Sequence, residues 1–425
     1  MKQSYYIPES DMQTNLENDM LLTEKPAMKP DAGIVIWRYF SWAIFFDILF
    51  FFLEYTFHVP LGIVIGSFVF LAIFLFGALR QNIRFNFPQK AVVYWIYLLI
   101  PFLTGIFSYP DSFTNILSLY VKFSIYLFVF MILSVQNFDC LPWDDFQNSK
   151  FLLGILIFLS MSTVFAPYYG NNQLDSISGI EIRPSGFFKN SNIAAPIAFL
   201  QLFMIPSRKK FVSAIIYFCA ILALLRINSN TTWIAIALTA MYYLVCVRKN
   251  YAAGIFFLLA AGIIATIFND RFLIQIETAF MNMDSILTDS VNYGLIGNET
   301  SLTWRLTHWI KLISAIFSDD SILAIMFGHG LASTIMDNGI LPHNEYLRIL
   351  YEEGVIGFLL FCAVGINAFR EASPKGRTLL VCYAVFMFSE NALDTFSAFI
   401  IFLTLLSYDI ACNKRKVLSH ENIDD

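Results

Sequence analysis

The run Tyr251-Ala-Ala-Gly-Ile-Phe-Phe-Leu-Leu-Ala-Ala-Gly-Ile-Ile-Ala-Thr-Ile-Phe268 carries no charged side chain. It is bounded by Arg248-Lys249-Asn250 on one side and Asn269-Asp270-Arg271 on the other. Wound as a helix, an apolar stretch of about 18 residues reaches across most of the ~30 Å hydrocarbon layer of a bilayer. A barrel strand would alternate apolar and polar residues, and this run does not. The stretch therefore reads as a membrane-spanning helix, and it sets the solvent in which its neighbours must fold.

Similar runs recur along the chain. Candidate spans fall at 34–53, 59–79, 91–108, 113–134, 150–166, 193–206, 210–226, 231–247, 251–268, 349–369, 377–390 and 392–411. The composition agrees: of 425 residues, 57% are hydrophobic and only 14% charged, where a soluble domain carries about 25% charged. Mean hydropathy is +0.63. The expected fold class is an all-α integral membrane protein of about 12 transmembrane helices. A net charge of −5 argues against nucleic acid as a partner.

The expected organisation follows from these runs. Residues 1–33 read as a disordered cytoplasmic tail without a signal peptide. Residues 34–268 hold helices one to nine, and 269–348 form a long external loop between helices nine and ten. Residues 349–411 hold the last three helices, and 412–425 a second cytoplasmic tail. Most of the 27 Lys and Arg residues then fall in inner segments, which puts both termini inside. Cys140, Cys219, Cys246, Cys362, Cys382 and Cys412 all fall in spans or inner segments, so no disulfide framework is implied.

Basic residues that break this bias need a reason. Arg183, Arg226, Arg305 and Arg348 all sit near expected outer helix ends. Guanidinium groups gathered there suit an anionic ligand, because their planar forks match phosphate oxygens. In the loop before the sixth span, Asn190 and Asn192 are placed to cap a helix whose N-terminus would add free N–H groups. Within the long external segment, Leu302, Leu306, Trp309, Leu312, Ile313, Ile316 and Phe317 recur at helical spacing. That pattern predicts a helix on the membrane surface, with Arg305, His308 and Lys311 on it. His308, His329 and His343 are spaced too irregularly for a compact zinc pattern, so no metal is expected.

The sharpest polar cluster is Leu341-Pro342-His343-Asn344-Glu345-Tyr346-Leu347-Arg348, continuing to Glu352-Glu353-Gly354 and Gly357. Pro342 suits the first position of a helix running into the tenth span. In such a helix His343 and Glu352 lie about 13 Å apart along the axis, so they are no dyad. Arg348 pairs instead with Glu345 and Glu352 at i−3 and i+4. His343 remains as a candidate general base near neutral pH.

These residues resemble the signature of the O-antigen ligase and polymerase superfamily. The resemblance rests on His343-Asn344-x-Tyr346-Leu347 with Glu352-x-Gly354-x-x-Gly357, and on Arg183-Pro184-Ser185-Gly186 followed by Asn190-x-Asn192. Arg305 ahead of Trp309, the turn Phe327-Gly328-His329-Gly330 and the late Asn391 complete an ordered set over roughly 183–391. The resemblance implies a GT-C-like membrane glycosyltransferase at the outer face of the bacterial inner membrane. It would take a glycan from undecaprenyl diphosphate and join it, with inversion and without a metal or other cofactor, to a sugar hydroxyl of a glycan or a lipid A core. His343 would activate that hydroxyl. Arg183 and Arg305 would bind the diphosphate, with Asn190, Asn192, Asn344, Arg348 and Glu352 in support. The chain departs from the family where members often carry Ser-Arg: here Ser229-Asn230 stands. Arg226, four residues before Asn230, would share its face on a continuous helix and could supply the missing guanidinium. The divergence favours a polymerase, with a ligase as the alternative. A transporter of polysaccharide or lipid-linked sugar is the reading from another class, with Asp47 and Lys122 as its intramembrane charges.

Overall fold

The computed structural model describes residues 88–134, 191–202, 210–227, 229–268, 301–318, 321–339 and 341–421, with a few isolated positions. The expected spans at 34–53, 59–79 and 150–166 lie outside these, as do Asp47, Arg183 and Asn190. Among the described residues every regular element is helical and none is a strand.

The first pair, α1 (Gln89–Tyr97) and α2 (Leu99–Ser108), occupies one expected span. It is two helices rather than one, divided at Leu98. Pro101 supplies the reason: its ring crowds the carbonyl four residues back, on Tyr97, and it has no N–H to return. A short turn, Pro110–Ser112, leads into α3 (Phe113–Ser134). Next come α4 (Ser191–Gln201), α5 (Lys210–Ile227), α6 (Asn230–Tyr242) with a π-turn over Tyr243–Val247, and α7 (Tyr251–Phe268).

The segment expected as an external loop contains α8 (Ser301–Ser318) and two short helices, α9 (Ile322–Phe327) and α10 (Ser333–Asn338). The chain closes with α11 (Glu345–Glu371), α12 (Pro374–Ser389) and α13 (Phe396–Glu421). Three helical stretches among the described residues are long and apolar enough to cross a membrane: Gln89–Ser108, Pro110–Ser134 and Glu345–Glu371.

One apolar core joins α1, α3, α4, α11, α12 and α13, with α13 lying along α3 and α6 along α12. It surrounds a cavity of about 310 Å³ lined by apolar and aromatic residues of α1, α3, α11, α12 and α13, among them Tyr346, Phe361 and Tyr383. Helix α8 is not simply laid on a surface. Its Leu312 and Ile316 are buried against Tyr351 of α11.

The helix expected to run on from Pro342 differs in two ways. It starts at Glu345, because Asn344 is its N-cap: the Asn344 Oδ1 accepts from the Leu347 N–H at 3.1 Å. It is also broken at Gly354, where φ is 70° and ψ −175°. The break frees the carbonyls of the preceding turn, and other segments take them. The N–H groups of His329 and Gly330 donate to the carbonyls of Tyr351 and Glu352, each at 3.0 Å. The Tyr97 hydroxyl donates to the carbonyl of Glu353 at 2.5 Å. The Gly328-His329-Gly330 turn is therefore a plug for the kink in α11. Gly328 and Gly330 take φ of 81° and 101°, which other residues rarely adopt.

Candidate active site

The last expected span begins at Phe396 rather than at residue 392. Glu390 ends α12 in an extended conformation, φ −143° and ψ 160°, and the following turn is non-helical up to Thr395. This short departure from the helix brings Glu390 into the middle of three other elements. Its side chain is only 7% exposed. Its Oε1 accepts from the Thr231 hydroxyl of α6 at 3.1 Å and from Arg305 Nη2 of α8 at 3.2 Å. Its Oε2 lies 3.4 Å from Nδ1 of His343. Burial alone disfavours a carboxylate, and here a cation, a hydroxyl and an imidazole all face it.

His343 stands just before α11 in the left-handed region, with φ 51°. A residue with a bulky side chain held there needs support from its surroundings. Helix α8 provides it: Trp309 Nε1 donates to the carbonyl of Pro342 at 2.6 Å, and the Trp304 ring meets His343 edge to face at 5.7 Å. A carboxylate can only accept, so the Glu390 contact calls for the proton on Nδ1. Nε2 then carries the lone pair. The His343 side chain is 28% exposed, the most open member of the cluster. Such an arrangement can serve a general base and the carboxylate that orients it.

Arg305 is the cation of the site. Its Nη1 donates to the carbonyl of Ser389 at 2.7 Å and its Nη2 to Glu390. Its Nε is buried with no hydrogen-bond partner among the described residues, and so is Asn391 Oδ1 in the same turn. Unsatisfied buried polar atoms are uncommon in folded proteins, and two of them sit beside this cluster.

The other residues expected at the site are distributed differently. Arg348 pairs with Glu345 at 3.5 Å and with Glu352 at 3.3 Å, as helical spacing predicts, and with Asp394 at 3.1 Å. Glu352 also accepts from the Thr334 hydroxyl at 2.8 Å, Glu345 accepts from the Leu393 N–H at 2.7 Å, and Lys122 reaches Asp394 at 3.1 Å. This network welds α11 to α3 and to the turn that carries Glu390. Glu353 points elsewhere, into the Tyr94 hydroxyl, which lies 2.9 and 3.2 Å from its two oxygens.

Arg226 ends α5 with an exposed side chain. It does not share a helix face with Asn230, because Ser229 between them is extended, φ −88° and ψ 122°. Asn192 lies in the first turn of α4. His308 is buried and stacked on Trp304, while His329 is stacked on Tyr351 at 4.2 Å. The three histidines expected to be external thus serve separate contacts. Below the plug, Asp337 accepts from Tyr109 and Tyr351 at 2.7 and 2.8 Å. Burial and this carboxylate push the Tyr109 hydroxyl far above its ordinary range.

Sequence reasoning passed over Glu390. In the sequence it is only part of a polar interruption between two apolar runs, Ser389-Glu390-Asn391. A charge in that position is costly enough to have drawn attention to it, but no local spacing ties it to His343. Compared with known families, residues 215–362 match the family model described as O-antigen ligase. Among curated proteins none matches the chain. The matched segment contains Arg305 and His343 and ends before Glu390.

Proposed function

We propose, from the match of residues 215–362 to the O-antigen ligase family model, that the chain is a polysaccharide polymerase of the bacterial inner membrane, with both termini cytoplasmic. It transfers a growing O-antigen, capsule or exopolysaccharide chain from undecaprenyl diphosphate to a hydroxyl of the next lipid-linked repeat unit. The observation that carries the reading is the meeting of His343, Glu390 and Arg305 at the start of α11. His343 Nε2 takes the proton of the acceptor hydroxyl as the oxygen attacks the anomeric carbon from the face opposite the diphosphate. The bond to the diphosphate breaks, its electron pair stays on phosphate, and the anomeric configuration inverts. Arg305 stabilises that leaving charge, and Arg183 and Arg226 are assigned to the same diphosphate. No step in this scheme requires a metal.

Ligation to a lipid A core is the second reading, favoured by the description of the matched family. The two chemistries share a donor and differ in acceptor. Deleting the gene and resolving the surface glycans on a gel separates them. Loss of a polymerase leaves single repeats on the core. Loss of a ligase leaves a bare core while lipid-linked polymer accumulates. Lipid-linked units trapped on the inner face of the membrane would overturn both in favour of transport.

A further inference from the structure

Two groups assigned to different halves of the reaction share one carboxylate. Arg305, which handles the leaving diphosphate, and His343, which handles the acceptor, sit on opposite oxygens of Glu390. Thr231 steadies the Oε1 side. Neither the matched segment nor local spacing brings Glu390 to this place. We propose that Glu390 is a positioning residue that couples donor binding to base strength. Its carboxylate holds Arg305 while the site is empty, yields that guanidinium to the diphosphate when the donor arrives, and then supports His343 alone. The inference rests on the proposed donor and on His343 as base.

The physical argument is competition for one cation. Arg305 is already bound at Nη1 to a neutral carbonyl and at Nη2 to Glu390, and its Nε has no hydrogen-bond partner among the described residues. A diphosphate carries more charge and more acceptor oxygens than one carboxylate, so it is the stronger partner for a guanidinium. Once Arg305 turns to it, the charge of Glu390 is no longer shared. The imidazolium that forms as His343 accepts the acceptor's proton then faces an undivided negative charge. Among the described residues, the charged and titratable groups around His343 are Glu390 from the turn after α12, Arg305 from α8 and, behind Trp304, His308. Glu345, Arg348 and Glu352 of α11 are bound into the separate network with Asp394 and Lys122. The base is thus weaker without donor, when an attack would have no leaving group to expel.

The test uses the full chain in lipid nanodiscs, with undecaprenyl-diphosphate-linked repeat units extracted from a strain lacking the gene. Glu390→Gln keeps the shape and removes the charge. Its kcat is expected to fall about tenfold or more, while its KM for the lipid-linked donor stays or falls, because a competitor for Arg305 is gone. The acid limb of its kcat profile moves down by about one pH unit, since an imidazolium without its counter-charge gives up its proton earlier. Arg305→Gln does the reverse: donor KM rises and the acid limb moves up. If Glu390→Gln does not accumulate, Glu390→Asp, which keeps the charge, is expected to hold the acid limb near that of the unaltered protein, and Arg305→Gln still reports the opposite shift. The coupling is overturned if Glu390→Gln matches the unaltered protein in kcat and pH profile while His343→Ala is inactive. It is equally overturned if Glu390→Gln and Arg305→Gln shift the limb in the same direction. Full activity of His343→Ala would instead remove the base assignment, and the coupling with it.

Discussion

Gly328 and Gly354 face each other so closely that a Cβ on either would enter the backbone of the other's segment. Added to Gly354, it would meet the Gly328 nitrogen and the carbonyl of Met326. Added to Gly328, it would meet the Glu352 carbonyl. Both residues also hold positive φ, 70° and 81°. Gly354→Ala is therefore expected to lower stability by more than the roughly 1–3 kcal/mol of the backbone conformation alone. The thermal midpoint of the detergent-purified protein should drop by several degrees or the protein should fail to accumulate. Gly365→Ala, on the same helix with open space around it, is the control that should leave the midpoint unchanged.

His343 combines a chemical and a conformational role, and two substitutions separate them. Asn tolerates left-handed φ better than most residues. His343→Asn should keep the thermal midpoint of the unaltered protein yet lose transfer about a hundredfold or more, the usual scale of a general base. His343→Val, β-branched at φ 51°, should lose stability as well. Transfer rates measured alongside thermal midpoints distinguish the two. An active His343→Asn would show that the position matters for its backbone rather than its imidazole.

Arg348 is 2% exposed, beside Glu345 at 0% and Glu352 at 2%, with Asp394 completing its partners. Removing it leaves these carboxylates with Lys122, paired to Asp394, as their remaining cation among the described residues. Arg348→Ala should cost about 3–5 kcal/mol, the scale for breaking a buried pair by deleting one partner. Arg348→Lys should recover only part of this, because an ammonium is a point charge and cannot span three acceptors with a fixed fork. Unfolding followed by denaturant or heat in detergent provides the comparison.

Tyr94 holds both oxygens of Glu353 with one hydroxyl. Tyr94→Phe strips a buried carboxyl of that donor and should cost about 1–3 kcal/mol. The double variant Tyr94→Phe/Glu353→Met should regain much of the loss, since removing both polar partners avoids the unsatisfied group. A double variant as unstable as the single one would show that Glu353 has a further role.

The apolar runs were enough to predict helices at 113–134, 210–226 and 251–268, because a helix needs only local periodicity and length. The same locality predicted the pairs Glu345–Arg348 and Arg348–Glu352, which depend on spacing along one helix. It also singled out His343 and Arg305 as polar groups at costly positions. What only the tertiary structure decided lies between elements. The kink at Gly354 depends on a turn 26 residues earlier that takes up the freed carbonyls, and no periodicity announces that match. Asn344 displaced Pro342 as the helix start because a side-chain acceptor satisfies an N–H that proline merely tolerates. Glu390 became the partner of His343 and Arg305 because α12 ends where α6, α8 and the start of α11 converge. A single residue in an apolar stretch signals that its charge must be satisfied, but only packing determines which groups satisfy it.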